Sequence, residues 1–312
     1  MRTVSVCIVT YNQEHYIEDA IKGVLMQKDC DYEIVIADDH STDRTFEICQ
    51  KYQHEYPNII TLIRQPENKG VVMNTRDCLL ACSGKYIAIC EGDDYWIDEY
   101  KLKKQVEILE KDDSVSMVHT NWIDYYQENG TFEKTKHASA SLNKSESCGG
   151  TESMIEIMKN QYRGIRFSSI CFRTIILRTA IENDGDLFSP RYSTCDLVLF
   201  YILAYYGKFS YIPYETTVYR HLKESVSITR DRKKHTYYTL GVLNIKAHFI
   251  KNYHLPIMEL NESLRPSFYL PFDYAFRTKD KNLAKKTMTI AKEVAYKLTL
   301  GQRLKYLLTV LS

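Results

Sequence analysis

Short apolar runs alternate with amphipathic segments over the first 120 residues, and this alternation constrains the fold more than any other feature. The runs are rich in β-branched residues and predict buried strands at Thr3–Val9, Tyr32–Ala37, Ile59–Arg64 and Tyr86–Cys90. Between them, apolar residues recur every three or four positions, which predicts helices over Ile17–Leu25, Phe46–Tyr56 and Val71–Ala81. Repeated strand–helix units favour an α/β fold with a mostly parallel sheet flanked by helices.

The pattern changes twice further along the chain. It loosens after Trp122, where the Ser-rich segment His137–Gly150 is interpreted as a loop or lid, and a helix is predicted near Ser153–Lys159. After about Asp231, helical periodicity continues to the end. We therefore expect one α/β domain over residues 1–230 and a helical region over residues 231–312.

Charge and cysteine content narrow the class of protein. The 41 Lys and Arg balance 40 Asp and Glu, so the net charge gives no reason to expect a nucleic acid partner. Nine cysteines lack metal-site spacing and indicate a reducing compartment. No signal peptide is recognisable, and the longest apolar run, Leu197–Tyr206, is too short to cross a bilayer. The expected location is the cytoplasm, with the inner face of the membrane left open.

Polar residues follow three of the predicted strands, where ligands bind in parallel sheets. They are Thr10–Asn12, Asp38–Asp43 and Glu91–Asp94. Each segment alone is compatible with a solvated turn, and Ser41 or Thr42 is expected to cap the following helix. Two acidic strand ends in one sheet favour a joint site instead. Clustered carboxylates are costly unless they share a positive charge, which a divalent cation bridging a diphosphate supplies.

The order of these motifs resembles family 2 glycosyltransferases of the GT-A fold, of the kind found in bacterial polysaccharide synthesis. The resemblance covers roughly residues 3–228. Its motifs are Thr10–Asn12, the D-D-x-S-T-D turn Asp38–Asp43, the N-x-G turn Asn68–Gly70 with Arg76 after it, and Glu91–Asp93 as a D-x-D variant.

The resemblance implies roles for particular residues. Asp93 would be the main ligand of Mn²⁺ or Mg²⁺, Asp39 would accept a hydrogen bond from the nucleotide base, and Arg76 would reach the base or the diphosphate. The implied donor-binding set is Thr10, Tyr11, Asn12, Asp38, Asp39, Asn68, Arg76, Glu91, Gly92, Arg220 and Ser227. A solvated helix-surface charge is the competing interpretation of Arg76.

The resemblance also implies an acceptor half over residues 121–230, beside a donor half over 1–120. Asp196, at the start of an apolar helix, would be the general base, although a carboxylate there also suits the helix dipole. Many relatives have Glu before this Asp, and this chain has Cys195. Arg220 and Ser227 match the family's Y-R…S-x-S segment, but Leu222 stands where many members carry His. That departure puts a metal or phosphate role for the neighbouring His221 in doubt.

The implied function is an inverting glycosyltransferase acting in bacterial cell-surface polysaccharide synthesis. It would move a sugar from a nucleotide diphosphate donor, with a UDP-sugar favoured, to a glycan or lipid-linked acceptor. A sugar-phosphate nucleotidyltransferase is the first alternative, although the segment after the first strand lacks the glycine and lysine that a triphosphate loop needs. A nucleotide-sugar-binding protein without turnover is the second, and Cys195 keeps it open.

The last part of the chain is basic and amphipathic. Residues 277–312 contain nine Lys and Arg against two acidic residues. Such a segment either packs on its own domain with a solvated basic face or makes peripheral contact with an anionic membrane. Both interpretations stay open from the sequence.

Overall fold

The computed structural model describes residues 2–134, 149–160, 164–223 and 230–311. Its first part confirms the predicted alternation, with every predicted strand and helix present to within one residue at each end. The elements are β1 (Val4–Thr10), α1 (Ile17–Leu25), β2 (Tyr32–Asp38), α2 (Thr45–Glu55), β3 (Ile60–Arg64), α3 (Val71–Ala81) and β4 (Tyr86–Glu91).

The second part mixes strands and helices, and the last part is helical as predicted. The middle elements are β5 (Tyr95–Trp96), α4 (Lys101–Lys111), β6 (Val115–Tyr126), β7 (Thr131–Lys134), α5 (Gly150–Asn160), a 3₁₀ turn (Phe167–Ser169), β8 (Cys171–Arg173), α6 (Thr174–Asn183), α7 (Asp196–Tyr206) and β9 (Lys208–His221). The final elements are α8 (Arg232–Asn252), α9 (Ile257–Thr278), α10 (Lys281–Glu293) and α11 (Leu300–Leu311). Most of the predicted lid, residues 137–148, lies outside the described residues.

The described strands form one sheet in the order β3-β2-β1-β4-β8-β6-β9-β5, with β7 paired to β6. Strands β1 to β4 are parallel, and β8 runs antiparallel to both β4 and β6. The order runs outward from β1 to β3 on one side and to β4 on the other. This makes the junction of β1 and β4 the switch point at which α/β sheets bind ligands.

Both faces of the sheet are buried, which explains why its strands are continuously apolar. Alternate residues of β1 enter two separate apolar clusters, with Cys7 and Val9 on one face and Val6 and Ile8 on the other. Helix α7 belongs to the first cluster and is buried over Leu197–Ala204, as expected for a helix that is apolar on all sides.

The start of α2 differs from the sequence prediction. Neither Ser41 nor Thr42 caps the helix, which begins at Thr45 after Arg44, without a side-chain hydrogen bond from the capping residue. Instead, the Asp43 carboxylate accepts the Thr45 N–H at 2.9 Å. The Ser41 hydroxyl accepts the Asn12 N–H at 2.9 Å, so it connects two loops and leaves the helix end to Asp43.

The C-terminal helices share their core with the α/β part. One apolar cluster contains residues of β1 and α7 together with α8, α9 and α10. Apolar packing is continuous across residue 230. The domain boundary predicted there stays a prediction. Among the residues that the structure describes, no helix combines the length and the apolar character that crossing a bilayer requires.

The cysteines confirm their interpretation as small buried side chains. Eight of them lie in described parts of the chain as free thiols, and seven of these are buried. Burial raises the pKa of Cys7 and of Cys195 well above its usual value, so both are protonated thiols.

Candidate active site

The carboxyl ends of β1 and β4 meet at the switch point. Val9 pairs with Glu91, and the Gly92 N–H donates to the Val9 carbonyl at 3.1 Å. A β-carbon on Gly92 would lie 2.3 Å from Gln13 Oε1 and 3.0 Å from the Thr10 side chain. A side chain at this position would displace Gln13 and crowd Thr10, so glycine favours the close approach of the loop to the residues after β1.

The segment Glu91–Asp94, here called the acidic loop, begins at this junction. Asp94 is buried, and its carboxylate accepts the Ser168 hydroxyl at 2.6 Å and the Arg220 N–H at 2.9 Å. Burial, followed by the charge of Asp93, raises the pKa of Asp94 to about 8. A carboxyl with two donors and a raised pKa shows that desolvation outweighs its hydrogen bonds.

The other two acidic residues of the loop are also disfavoured as anions. Burial raises the pKa of Asp93, although its own backbone N–H and the charge of Arg220 oppose the shift. The pKa of Glu91 lies well above its usual value because of burial and then the charges of Asp94, Asp93 and Asp196. The loop is thus a concentration of negative charge that an added cation would stabilise.

The residues of the loop fit a divalent cation that is shared with a phosphate ligand. Among the described residues, no neighbouring residue donates a hydrogen bond to the Asp93 carboxylate, and no three His, Cys, Asp or Glu side chains converge as a complete metal site. Mg²⁺ and Mn²⁺ accept this arrangement, because they bind through one or two carboxylates and take phosphate oxygens as further ligands. Asp93 is the carboxylate with free capacity.

Arg220 braces the acidic loop from β9. Its guanidinium donates to the Asp93 carbonyl at 2.8 Å, to Asp19 Oδ2 at 2.8 Å and to Gln127 Oε1 at 3.1 Å. The Arg220 carbon Cζ also lies 5.0 Å from the ring centroid of Tyr16. Arg220 is 8% exposed. The side chain predicted to contact the donor diphosphate is therefore engaged in holding the loop.

Asp196 is held at the start of α7. Its Oδ1 accepts the Thr194 hydroxyl and the Leu197 N–H, while no other described residue donates to Oδ2. Burial raises its pKa, and its charge contributes to the raised pKa of Glu91, so the carboxylate lies within electrostatic range of the acidic loop. Tyr238 of α8 also lies beside it, since burial and then the charge of Asp196 raise the pKa of that phenol. The first turn of α7 therefore places a carboxylate that acts electrostatically on Glu91 of the acidic loop.

The loop after β1 is fastened to the loop after β2. The Asn12 amide oxygen accepts the Thr42 N–H at 2.8 Å, and Asn12 itself has a left-handed backbone with φ of 51°. Asp43 accepts the Glu14 N–H at 3.1 Å, which adds a second connection. Within the predicted T-Y-N motif Thr10 is buried, whereas Asn12 is exposed and Tyr11 presents its ring at 45% exposure.

Asp39 joins β2 to the turn before α3. Its two carboxylate oxygens accept the Lys69 and Gly70 N–H groups at 2.8 and 2.9 Å, and Asn68 donates to the Asp39 carbonyl at 3.2 Å. The neighbouring Asp38 is fully buried, and none of the described residues donates a hydrogen bond to its Oδ1. The structure thus brings together the first, second and third strand ends around this pair of carboxylates.

Arg76 lies on α3 with a partly exposed side chain. Within the described parts of the chain, its one ion pair is a 3.7 Å approach to Asp77, which itself binds Lys69 at 2.8 Å. The guanidinium is therefore weakly held, which is compatible with the donor contact predicted for it and with a solvated surface charge. Ser227, also predicted to contact the donor, lies outside the described residues.

Sequence analysis missed the supports of the acidic loop. Lys101 is buried and donates to Gln105 Oε1 at 2.7 Å and to the Ser169 carbonyl at 3.3 Å, with its Nζ 4.2 Å from the Trp96 ring centroid. The Trp96 indole N–H donates to the Ser168 carbonyl at 2.9 Å. These contacts fix the 3₁₀ turn that presents Ser168 to the loop. In the sequence, Lys101 and Gln105 look like two polar residues one turn apart on a solvent-exposed helix. Nothing in that pattern indicates that Lys101 supports the 3₁₀ turn.

Arg166 is a further residue that no sequence pattern singled out. It lies over the Tyr219 ring, 3.8 Å from the centroid, and approaches Asp124 at 3.5 Å. Asp124 also contacts His221 at 2.8 Å. His221 therefore has a carboxylate partner on β6, which agrees with the doubt about a metal or phosphate role for it. The charge of Arg166 lowers the pKa of Asp94 against the larger effect of burial, so Arg166 lies close to the acidic loop.

A surface depression lies at the opposite end of the sheet. It is lined by Ile108, Lys111, Asp112, Val115, Lys208, Phe209 and Ser210, at the beginning of β6 and β9. Because the acidic loop is at the other end of these strands, the depression is separate from the site.

Comparisons with known proteins agree with this geometry. The family described as "Glycosyl transferase family 2" matches residues 5–182, more than half of the chain. The chain belongs to this family. Its sequence is 44% identical over 109 residues to the uncharacterized protein Rv1520 of Mycobacterium tuberculosis, and 34% identical over 139 residues to the putative teichuronic acid biosynthesis glycosyltransferase TuaG of Bacillus subtilis.

These alignments cover part of each protein. They span 35% of this chain and 32% of Rv1520, and 45% of this chain and 54% of TuaG. The matched region is thus about a third to a half of the length of these relatives.

Solved structures resemble the chain over nearly its whole length. S. aureus TarS 1–349 in complex with UDP-GlcNAc gives a TM-score of 0.57 at 16% identity, covering 99% of this chain and 89% of that one. The mannosyltransferase PcManGT of Pyrobaculum calidifontis, in complex with GDP-Man and Mn²⁺, gives 0.55 at 16% identity, covering 99% and 84%. At such identities the likeness concerns the fold, which is the predicted GT-A fold with added C-terminal helices.

Proposed function

We propose that the protein is a metal-dependent, inverting glycosyltransferase of bacterial cell-surface polysaccharide synthesis. It would take a sugar from a nucleotide diphosphate donor, with a UDP-sugar favoured, and transfer it to a hydroxyl of a glycan or lipid-linked acceptor. We also propose that the protein acts at the cytoplasmic face of a membrane and contacts that membrane through residues 277–312. The observation that carries it is the acidic loop at the β1–β4 switch point, where Glu91 pairs with Val9 and is influenced by the charge of Asp196 at the start of α7.

The donor half, residues 1–120, would bind the nucleotide. Asp38 and Asp39 lie at the end of β2 beside the Asn68–Gly70 turn, and Tyr11 is exposed next to them. An aromatic ring and buried carboxylates suit a nucleobase, which offers a flat apolar face and N–H donors. The complexes of TarS with UDP-GlcNAc and of PcManGT with GDP-Man support a nucleotide sugar as the ligand of this fold.

Asp93 would hold the divalent cation, which when bound neutralises negative charge on the departing nucleoside diphosphate. The chain's own part is to present that carboxylate. Arg220 holds the Asp93 backbone carbonyl, and Ser168 together with the Arg220 N–H holds Asp94. With the backbone fixed, the Asp93 side chain keeps its oxygens available.

Asp196 would be the general base for the acceptor hydroxyl. Its raised pKa moves the carboxylate towards the working pH, where proton acceptance is most effective. Thr194 and Leu197 bind Oδ1 and fix the rotamer, and Oδ2 would take the proton. A base on the side opposite the leaving group, with no enzyme nucleophile, gives inversion by a single displacement.

Release of nucleoside diphosphate from a UDP-sugar, with water or a glycan as acceptor, tests this proposal. Asp196→Asn should slow release by about 10²–10⁴-fold because it removes the base, while diphosphate binding persists. Asp186→Asn is the matched control, since Asp186 is an exposed carboxylate of the same segment.

Two outcomes would contradict the proposal in different ways. Equal rates for the wild type and Asp196→Asn would remove Asp196 from the mechanism. A wild-type protein that binds the diphosphate and releases none from any donor would be a binding protein without turnover, the alternative that Cys195 leaves open.

A further inference from the structure

Helix α11 places its leucines in solvent and its polar residues inside. Gln302 and Thr309 are each 2% exposed. Five leucines are between 47% and 84% exposed: Leu300, Leu304, Leu307, Leu308 and Leu311. Their spacing of i, i+4, i+7, i+8 and i+11 puts them on one side of the helix, here called the leucine face. A contiguous apolar surface of this kind marks an interaction site.

The outward direction of the leucine face is fixed by the inner side of the helix. Lys305 donates to Asp273 Oδ1 at 2.5 Å, and the buried Asp273 also binds Arg232 at 2.6 Å and Arg277 at 2.8 Å. The Gln302 amide oxygen accepts the Thr299 N–H at 2.9 Å, which closes the start of the helix. Rotating the leucines inward would break the ion pair of Lys305 and leave the buried Asp273 carboxylate without one of its cations.

Charge indicates the partner. Residues 230–311 contain 16 Lys and Arg against 6 Asp and Glu, a net charge of +10. The whole chain has 41 against 40, so the remaining residues have 25 against 34, a net charge of −9. The near-neutral total therefore hides two oppositely charged parts. Arg303 is exposed at the edge of the leucine face, and Arg232 and Arg277 are more than half exposed beside the cluster that holds α11.

We propose that the leucine face docks on an anionic lipid surface, with α11 lying in the plane of the headgroups. Leucines flanked by cations are the composition of an interfacial helix, and each nearby cation strengthens attraction to anionic lipid. Twelve residues at 1.5 Å each make a helix of about 18 Å, too short to cross an apolar layer of about 30 Å. A second copy fits less well, because a two-fold interface would bring two regions of charge +10 together.

This inference deepens the membrane contact included in the proposed function. The contact would bring the acidic loop and Asp196 to acceptors anchored in the same surface. The inference rests on the proposed function only where it concerns access to acceptors. Lipid binding itself is measured without donor, metal or acceptor.

Sedimentation with extruded vesicles tests the proposal. The wild type should bind vesicles of equimolar phosphatidylcholine and phosphatidylglycerol, bind phosphatidylcholine alone far more weakly, and lose binding as salt screens the charges. The double variant Leu304→Gln with Leu308→Gln should bind at least about tenfold more weakly, because two large apolar contacts are lost. Ile175→Gln is the matched control, since Ile175 is 64% exposed on α6 and should have no effect.

Both leucines are exposed, so the double variant should keep the wild-type melting curve and its binding of nucleoside diphosphate. Retained diphosphate binding separates failure of this inference from failure of the proposed function. The proposal would be overturned if the wild type did not bind anionic vesicles, or if the double variant bound them as well as the wild type does. A concentration-dependent dimer in light scattering that only the leucine substitutions abolish would also overturn it, because the leucine face would then be covered by a second copy.

Discussion

Replacing Arg220 with methionine tests whether this side chain braces the acidic loop or contacts the donor. The guanidinium connects the Asp93 carbonyl, Asp19 and Gln127 across three segments that are far apart in the sequence. Methionine has a comparable length and keeps part of the contact with the surrounding rings. The substitution therefore removes mainly the hydrogen bonds and the charge.

The structure sets the size of the expected effect. Hydrogen bonds that involve a charged group contribute roughly 1.5–3 kcal/mol each when buried, but Asp19 is half exposed and its share must be reduced. Cation–π contact with the nearby rings adds about 0.5–1 kcal/mol. We expect Arg220→Met to lower the free energy of unfolding by about 3 kcal/mol.

Urea unfolding followed by circular dichroism measures this change. Arg76→Met is the matched control, since Arg76 is partly exposed with one loose ion pair and should change the free energy of unfolding by less than about 1 kcal/mol. The reasoning is refuted if Arg220→Met is as stable as Arg76→Met while its affinity for the nucleoside diphosphate falls. Arg220 would then be the donor contact that the sequence motif implied.

Two further predictions concern the acidic loop and its support. Asp93→Asn should abolish Mn²⁺-dependent binding of the nucleoside diphosphate in calorimetry, whereas Asp113→Asn, whose side chain is almost fully exposed, should leave it unchanged. Burial lowers the pKa of Lys101 to about 8 in the folded protein. In the unfolded chain the pKa of a lysine is about 10.4. Between about pH 8 and about pH 10.4 the unfolded state therefore binds more protons than the folded state. The contribution of Lys101 to the free energy of unfolding should therefore rise with pH across that window. Urea midpoints measured at several pH values should show this rise in the wild type and lose it in Lys101→Met; parallel profiles would contradict it.

The strands of the N-terminal half were predictable because each is governed by a local pattern. Continuous apolar runs such as Tyr86–Cys90 indicate burial on both faces, and the structure places alternate residues in the two apolar clusters. Parallel connection then places every strand end at the same edge, which is why the acidic residues could be grouped before the structure was known. The same local rule failed at α2, where Ser41 was needed by the loop after β1 and Asp43 took its place at the helix end.

The supports of the site were not predictable, because they depend on residues distant in sequence. Ser168 reaches Asp94 across 74 residues, and Arg220 reaches Asp93 across 127. Neither contact produces a periodicity or a fixed residue spacing that can be recognised in the amino-acid sequence. The motif implied a donor contact for Arg220, and the structure engages its guanidinium with the Asp93 carbonyl, Asp19 and Gln127. The solvent-facing leucines of α11 were likewise hidden, since the sequence shows the amphipathic pattern and gives no sign of which side packs.

Calorimetric binding of UDP, GDP, CDP and dTDP, each with Mn²⁺ and with EDTA, tests the central claim most directly. The proposed site predicts binding of one diphosphate, with UDP favoured, that requires the metal because Asp93 and the phosphates share it. Folded protein that binds none of the four under either condition would contradict a nucleotide-sugar site at the acidic loop. Equal binding with Mn²⁺ and with EDTA would contradict the metal role of Asp93.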